Sequence, residues 1–254
     1  MKIDVQNGNT FAWTAESRFA IYYAPSRTSP WWEAGCNWLA RDPETGATLT
    51  PPEIAALTAR SQDVARLSRA PQRYGWHGTL VAPARCAEGV TPDDVIRRTR
   101  AWAQRQHPFD LAVEPAALER FVALRPASAQ GKAAMQALAA DALHECVSLC
   151  AMPGEAEQQR RIKANNLNAR QQALLARWGY PYVMDEFRFH MTLSDAIEPD
   201  EREILVDWWR ARTATLGPLP IDGAALFLEP APGEPFVLVE RLPFLSFVAS
   251  GGTQ

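Results

Sequence analysis

Two histidines of this sequence sit in nearly the same four-letter word, His77 in HGTL and His190 in HMTL, each two residues before a threonine. The chain has only four histidines, so these words take half of them. Side chains of a β-strand alternate between its two faces. In the second stretch Phe187, Phe189, Met191 and Leu193 therefore share one face, and Arg188, His190 and Thr192 the other. The first stretch repeats the pattern, with Tyr74, Trp76 and Leu80 opposed to Arg73, Gly75, His77 and Thr79. Two strands are predicted, over 73–81 and 187–194, each holding an imidazole beside a hydroxyl.

That pairing suits a phosphodiester. Displacement at phosphorus needs a base to take the nucleophile's proton and an acid to protonate the leaving oxygen. Histidine titrates near pH ~6.5, so one neutral and one charged imidazole coexist near neutrality. Thr79 and Thr192 would donate to the nonbridging oxygens, and Arg188 would add positive charge. Tyr22 and Tyr23 are consecutive on the apolar run RFAIYYA, which turns one toward the core and the other toward the cleft as a ligand contact. Spacing does not decide which histidine starts as the base.

The elements that must position these residues recur in order. The run 18–24 reads as an interior strand closed by Pro25. Helices are predicted over 31–39 and 52–67 before the first histidine strand. Thr91-Pro-Asp-Asp then supplies an N-cap and a first turn for a helix over 95–106, and 109–126 reads as a hairpin. Helices over 130–149 and 168–178 lead to the second histidine strand, with AMPGEAEQQRRIKANN between them read as a loop or the flank of a helix. Glu198-Pro-Asp-Glu then opens a helix to about 215, and a second hairpin over 219–243 follows. Helix, histidine strand, acid-capped helix and hairpin thus occur twice, with the histidines 113 positions apart. Two copies of so long a unit exclude a solenoid. They imply one bilobal α+β domain over 1–254, with two pseudo-symmetric lobes facing each other across a cleft.

The remaining signals are weaker. His107 reads as an exposed helix end. His144 sits in HECVSLC, where Cys146 and Cys150 fall one helical turn apart, but no second ligand pair exists, so no metal is expected. The charged run Arg160, Arg161, Lys163 reads as a solvated face. No glycine-rich phosphate loop or Ser/Cys nucleophile motif stands out, and no cofactor is expected.

Composition narrows the partners. The chain is 47% hydrophobic and 22% charged over 254 residues, as ordinary globular domains are. Its net charge of -3 argues against a protein that grips long nucleic acid, and leaves a small phosphorylated substrate open. No stretch reaches the ~18–20 apolar residues of a membrane span, and the first residues show no leader, so a cytoplasmic location is expected. The four cysteines form no disulfide framework.

The duplicated motif resembles the signature of the two-histidine (2H) phosphoesterase superfamily, which includes bacterial RNA ligase and cyclic phosphodiesterase proteins. RFAIYYAP, RYGWHGTLVAP and WGYPYVMDEFRFHMTL are similar, more narrowly, to its branch associated with phosphonate-utilisation genes. The resemblance implies the 2H phosphoesterase fold, a hydrolase opening a cyclic phosphodiester without cofactor, His77 and His190 as the acid–base pair, and Thr79 and Thr192 as phosphate-binding hydroxyls. Gly78 departs from the bulky apolar residue common at its position. RNA end processing at a 2',3'-cyclic phosphate, 2',5' ligation, and noncatalytic binding of a phosphate or phosphonate ester are the alternatives.

Overall fold

The structure is a computed structural model that describes residues 1–4 and 10–245. Residues 5–9, part of the stretch read for a leader, and 246–254 lie outside the described residues. Strand β1 (Lys2–Asp4) pairs with β2 (Thr10–Ala12) as a small ribbon. Strand β3 (Arg18–Tyr23) leads to helix α1 (Pro30–Trp38), which the Ser29 side chain caps. Three short helices follow, α2 (Ala55–Thr58), α3 (Val64–Leu67) and α4 (Arg69–Tyr74), and then β4 (Gly78–Ala84).

Helix α5 (Pro92–Ala103) begins with the expected Thr91–Asp94 capping box. Strands β5 (Phe109–Leu111), β6 (Val113–Leu118) and β7 (Phe121–Pro126) come next. Helices α6 (Ala129–Cys146), α7 (Glu155–Asn165) and α8 (Ala169–Trp178) lead to β8 (Met191–Thr192). The chain closes with α9 (Pro199–Leu216), β9 (Leu219–Ile221), β10 (Gly223–Glu229) and β11 (Val237–Pro243). The fold is mixed α and β with antiparallel sheets. Among the described residues no helix is long and apolar enough to cross a membrane.

Three expectations change. The segment 52–67 is two short helices, because Ser61 turns to a φ of +56° and Asp63 starts a new cap on Arg66 N. The stretch AMPGEAEQQRRIKANN carries α7, a helix with no buried residue, ended by Asn166 in the left-handed conformation. The histidine strands are also shorter than predicted. Residues 73 and 74 end α4, Gly75 caps it, and 187–190 are not strand.

Both large sheets draw strands from the two copies of the repeated order. The four-stranded sheet runs β11-β10-β3-β4, so the hairpin of the second copy extends the sheet that holds the first histidine word. The three-stranded sheet runs β6-β7-β8, so the hairpin of the first copy receives the second word. Strand β10 is buried at every position and β3 at all but its first, and antiparallel pairing of the two satisfies the backbone of both. Strands β5 and β9 pair with each other, Asp110 opposite Pro220. A single apolar core runs through both large sheets, from Phe227 and Leu226 to Leu124 and Met191.

Candidate active site

His77 is held between two anchors. On one side Trp76 is fully buried, stacked on Trp209 at 5.6 Å and seated against Gly35, where any Cβ would fall 2.0 Å from the Trp76 ring. On the other side Gly78 faces the second histidine segment, and a Cβ there would lie 2.4 Å from the Phe189 ring. The glycine that departs from the superfamily pattern is thus the point where the two words touch. Phe189 and Met191, which flank His190, are both buried.

The imidazoles are anchored by the same local bond. His77 Nδ1 lies 2.8 Å from the carbonyl oxygen of Gly75, and His190 Nδ1 lies 2.8 Å from that of Arg188. A carbonyl only accepts, so each Nδ1 carries the hydrogen and each neutral ring leaves Nε2 as its free acceptor. The first of these bonds explains Gly75. Its φ of 78° and ψ of 177° fall in a region open essentially to glycine alone, and a Cβ would collide with Pro43.

Cross-strand register places the neighbours. Tyr22 lies opposite Thr79, so Tyr22, Thr79 and His77 share one face of the four-stranded sheet, and the Tyr22 ring stacks on His77 at 4.0 Å. Tyr23 pairs with Gly78 on the other face, meets Phe189 edge-on at 6.1 Å, and donates its hydroxyl to Pro220 O. Tyr22 is 1% exposed and Tyr23 0%, so neither ring projects into solvent and the Tyr23 hydroxyl is engaged within the core. Thr192 pairs with Ala123, and Phe121, two residues before it, brings its ring 5.9 Å from His190.

A cleft of about 250 Å³ is lined by His77, Thr192, Tyr74, Phe121, Ser194 and Asp195, among others. It brings the first histidine and the second threonine to one opening. Arg188 is exposed and its guanidinium donates to the carbonyls of Asp185 and Phe187, outside that lining. Tyr74, Phe121 and Asp195 were not singled out by the sequence. Alternation puts Tyr74 on the apolar face of a strand, whereas α4 turns it into the cleft. Asp195 accepts from Ala70 N at 2.8 Å, which ties α4 to the segment following Thr192.

Burial pushes the His77 imidazolium down to about 4; the bond to Gly75 opposes this, and the nearby charge of His190 adds to it. Elsewhere, Cys150 stands opposite Cys86 in an antiparallel bridge, and burial raises its thiol to about 12. Among the described residues no three His, Cys, Asp or Glu side chains group as metal ligands.

The family model described as "Protein of unknown function (DUF1045)" matches residues 79–237, a span that holds Thr79, His190 and Thr192. The chain belongs to this family. It is also 38% identical over 237 residues, 92% of its length, to a protein of Laribacter hongkongensis named ribose 1,5-bisphosphate phosphokinase PhnN. A protein of the same name from Janthinobacterium sp. (strain Marseille) is 35% identical over 247 residues. The chain spans only about half of these relatives, 53% and 51% of their lengths.

Proposed function

We propose that this chain is a phosphoesterase of the two-histidine type, with a two-lobed arrangement around the cleft, that hydrolyses a cyclic phosphodiester on a small sugar phosphate or nucleotide. The observation that carries the reading is that His77 and His190 each bond through Nδ1 to the carbonyl two positions upstream, which leaves Nε2 of each ring as its free acceptor. Neutral His77 is the base: its Nε2 takes a proton from water as the water oxygen bonds to phosphorus. His190, protonated, gives its proton to the ring oxygen as the P–O bond breaks, leaving a phosphomonoester. Thr79 and Thr192 hold the nonbridging oxygens, and Arg188 adds charge if it swings from its present carbonyl partners. The reaction as written needs no metal ion.

The name of the relatives points to ribose phosphates and, with the sequence resemblance, to phosphonate metabolism. A phosphokinase needs a cradle for the nucleotide phosphates, and the sequence contains no G-x-x-x-x-G-K-[ST]. Its nearest approach, Gly131-Lys132, is followed by Ala133 inside α6. We therefore assign the kinase activity of those relatives to the half that this chain does not match. The shared substrate class is a phosphorylated ribose.

A second reading, processing of RNA ends at a 2',3'-cyclic phosphate, is favoured by Tyr74 and Phe121 in the cleft lining, since aromatic rings stack bases. Hydrolysis of ribose 1,2-cyclic phosphate and of 2',3'-cyclic nucleotides, with chelator present, tests both. Turnover that is lost in His77→Ala and His190→Ala supports the proposal. Turnover retained in both variants, or binding without turnover in the parent, overturns it.

A further inference from the structure

Glu229 has a fully buried side chain, and two guanidinium groups converge on it. Arg18 reaches it through Nε and Arg73 through Nη2, while Gly233 N donates to the same carboxylate at 3.0 Å. Burial raises the carboxyl pKa, but these bonds and charges outweigh it and hold the group below its usual range. One anion thus faces two cations, which leaves a surplus positive charge.

The donors are also in surplus. Nη1 and Nη2 of Arg18 and Nη1 of Arg73 make no hydrogen bond with any described residue, and the two side chains are 34% and 31% exposed. Half-open guanidinium groups with free N–H groups are ready-made partners for a phosphate.

The cluster reaches the cleft lining through Tyr74. The Arg73 guanidinium lies over the Tyr74 ring at 5.3 Å, and that ring is 6.0 Å from His77. Phe236, fully buried, stacks on Tyr74 at 5.1 Å and carries both guanidiniums at its face, which fixes the group in place. Two ring contacts, Arg73 to Tyr74 and Tyr74 to His77, connect the arginine to the histidine.

We propose that Arg18 and Arg73, pinned by Glu229 beside Tyr74, form a subsite for a second phosphate on the substrate, which makes a phosphorylated sugar cyclic phosphate the preferred ligand. This deepens the proposed function and rests on it for the reacting centre. An ion-pair network that merely ties β3, β10 and α4 together would bind no second phosphate.

The test compares hydrolysis of ribose 1,2-cyclic phosphate with that of its 5-phosphorylated form by the wild-type chain. A preference of about 10- to 100-fold in kcat/KM for the phosphorylated form is expected, the range of one or two charge-assisted bonds. Arg18→Lys and Arg73→Lys should each shrink that preference, mainly through KM. Calorimetric titration with ribose 5-phosphate and with ribose provides a readout independent of chemistry. Tighter binding of the phosphate that weakens in Arg18→Lys but survives in His77→Ala supports the subsite even if no cyclic ester turns over, an outcome that would defeat only the phosphoesterase reading. Equal turnover of both esters, or binding of ribose 5-phosphate unchanged by Arg18→Lys, overturns the subsite and leaves the phosphoesterase reading standing.

Discussion

His77 and His190 lie 113 residues apart, yet each donates Nδ1–H to the carbonyl two positions upstream, at 2.8 Å in both cases. The bond selects one tautomer in each ring and leaves the opposite nitrogen as the free acceptor. If that nitrogen moves the proton, His77→Ala and His190→Ala each lower turnover by about 10²- to 10⁴-fold. The double variant should lose little more, because the two act as one unit. Single-turnover assays on a cyclic phosphate measure this, and additive losses would contradict it.

If His77 is the base proposed above, it must be neutral to act, so kcat/KM should rise with pH through about 4 rather than through the ordinary histidine range near ~6.5. A profile with its maximum below pH 4 would reverse the two roles.

Stability follows the same group with a definite sign. The unfolded chain protonates this histidine near pH ~6.5 and the folded chain only near 4, so its contribution is full above ~6.5 and is lost as pH falls toward 4. With discounting for its partial exposure, the loss should be about 2 kcal/mol. Urea melts of wild type and His77→Asn across that window measure it. Parallel pH slopes in the two proteins would show that His77 is not the source.

Gly78 should be intolerant of any side chain. A Cβ meets the Phe189 ring at 2.4 Å, so Gly78→Ala should cost about 1–3 kcal/mol by overpacking and separate the two histidine segments. Phe189→Leu, made in the same chain, should recover part of both losses. A double-mutant cycle in stability with no coupling would remove the contact from consideration.

No phosphotransfer from ATP to ribose 1,5-bisphosphate is expected, since the sequence offers no nucleotide phosphate loop. Incubation with labelled ATP checks it. Label appearing in the sugar would move the activity of the longer relatives into this half.

Much of this was legible in the residues themselves. Alternation around His77 and His190 holds where it matters: Trp76, Gly78, Leu80, Phe189, Met191 and Leu193 are buried while His77, Thr79, His190 and Thr192 are partly open. Caps such as Thr91–Asp94 marked helix starts because side-chain bonding to free N–H groups is local. Pairing between distant strands is not local. Nothing near residue 78 announces that the strand beside β3 comes from residues 223–229, nor that Phe121 arrives next to His190. Strand length was also hidden, since 73–77 alternates as a strand does while α4 and the Gly75 turn take its first residues. The Arg18–Glu229–Arg73 group escaped notice because its three members are spread along 211 positions.

The exchange of hairpins between the two sheets has a consequence for synthesis. The sheet that carries His77 takes β10 and β11 from the far end of the chain, so it cannot close until residues 223–243 have left the ribosome. Until then the edge of β3 stays open, and nascent chains arrested before Gly223 should be cut by protease within the first hundred residues, whereas the completed protein should resist.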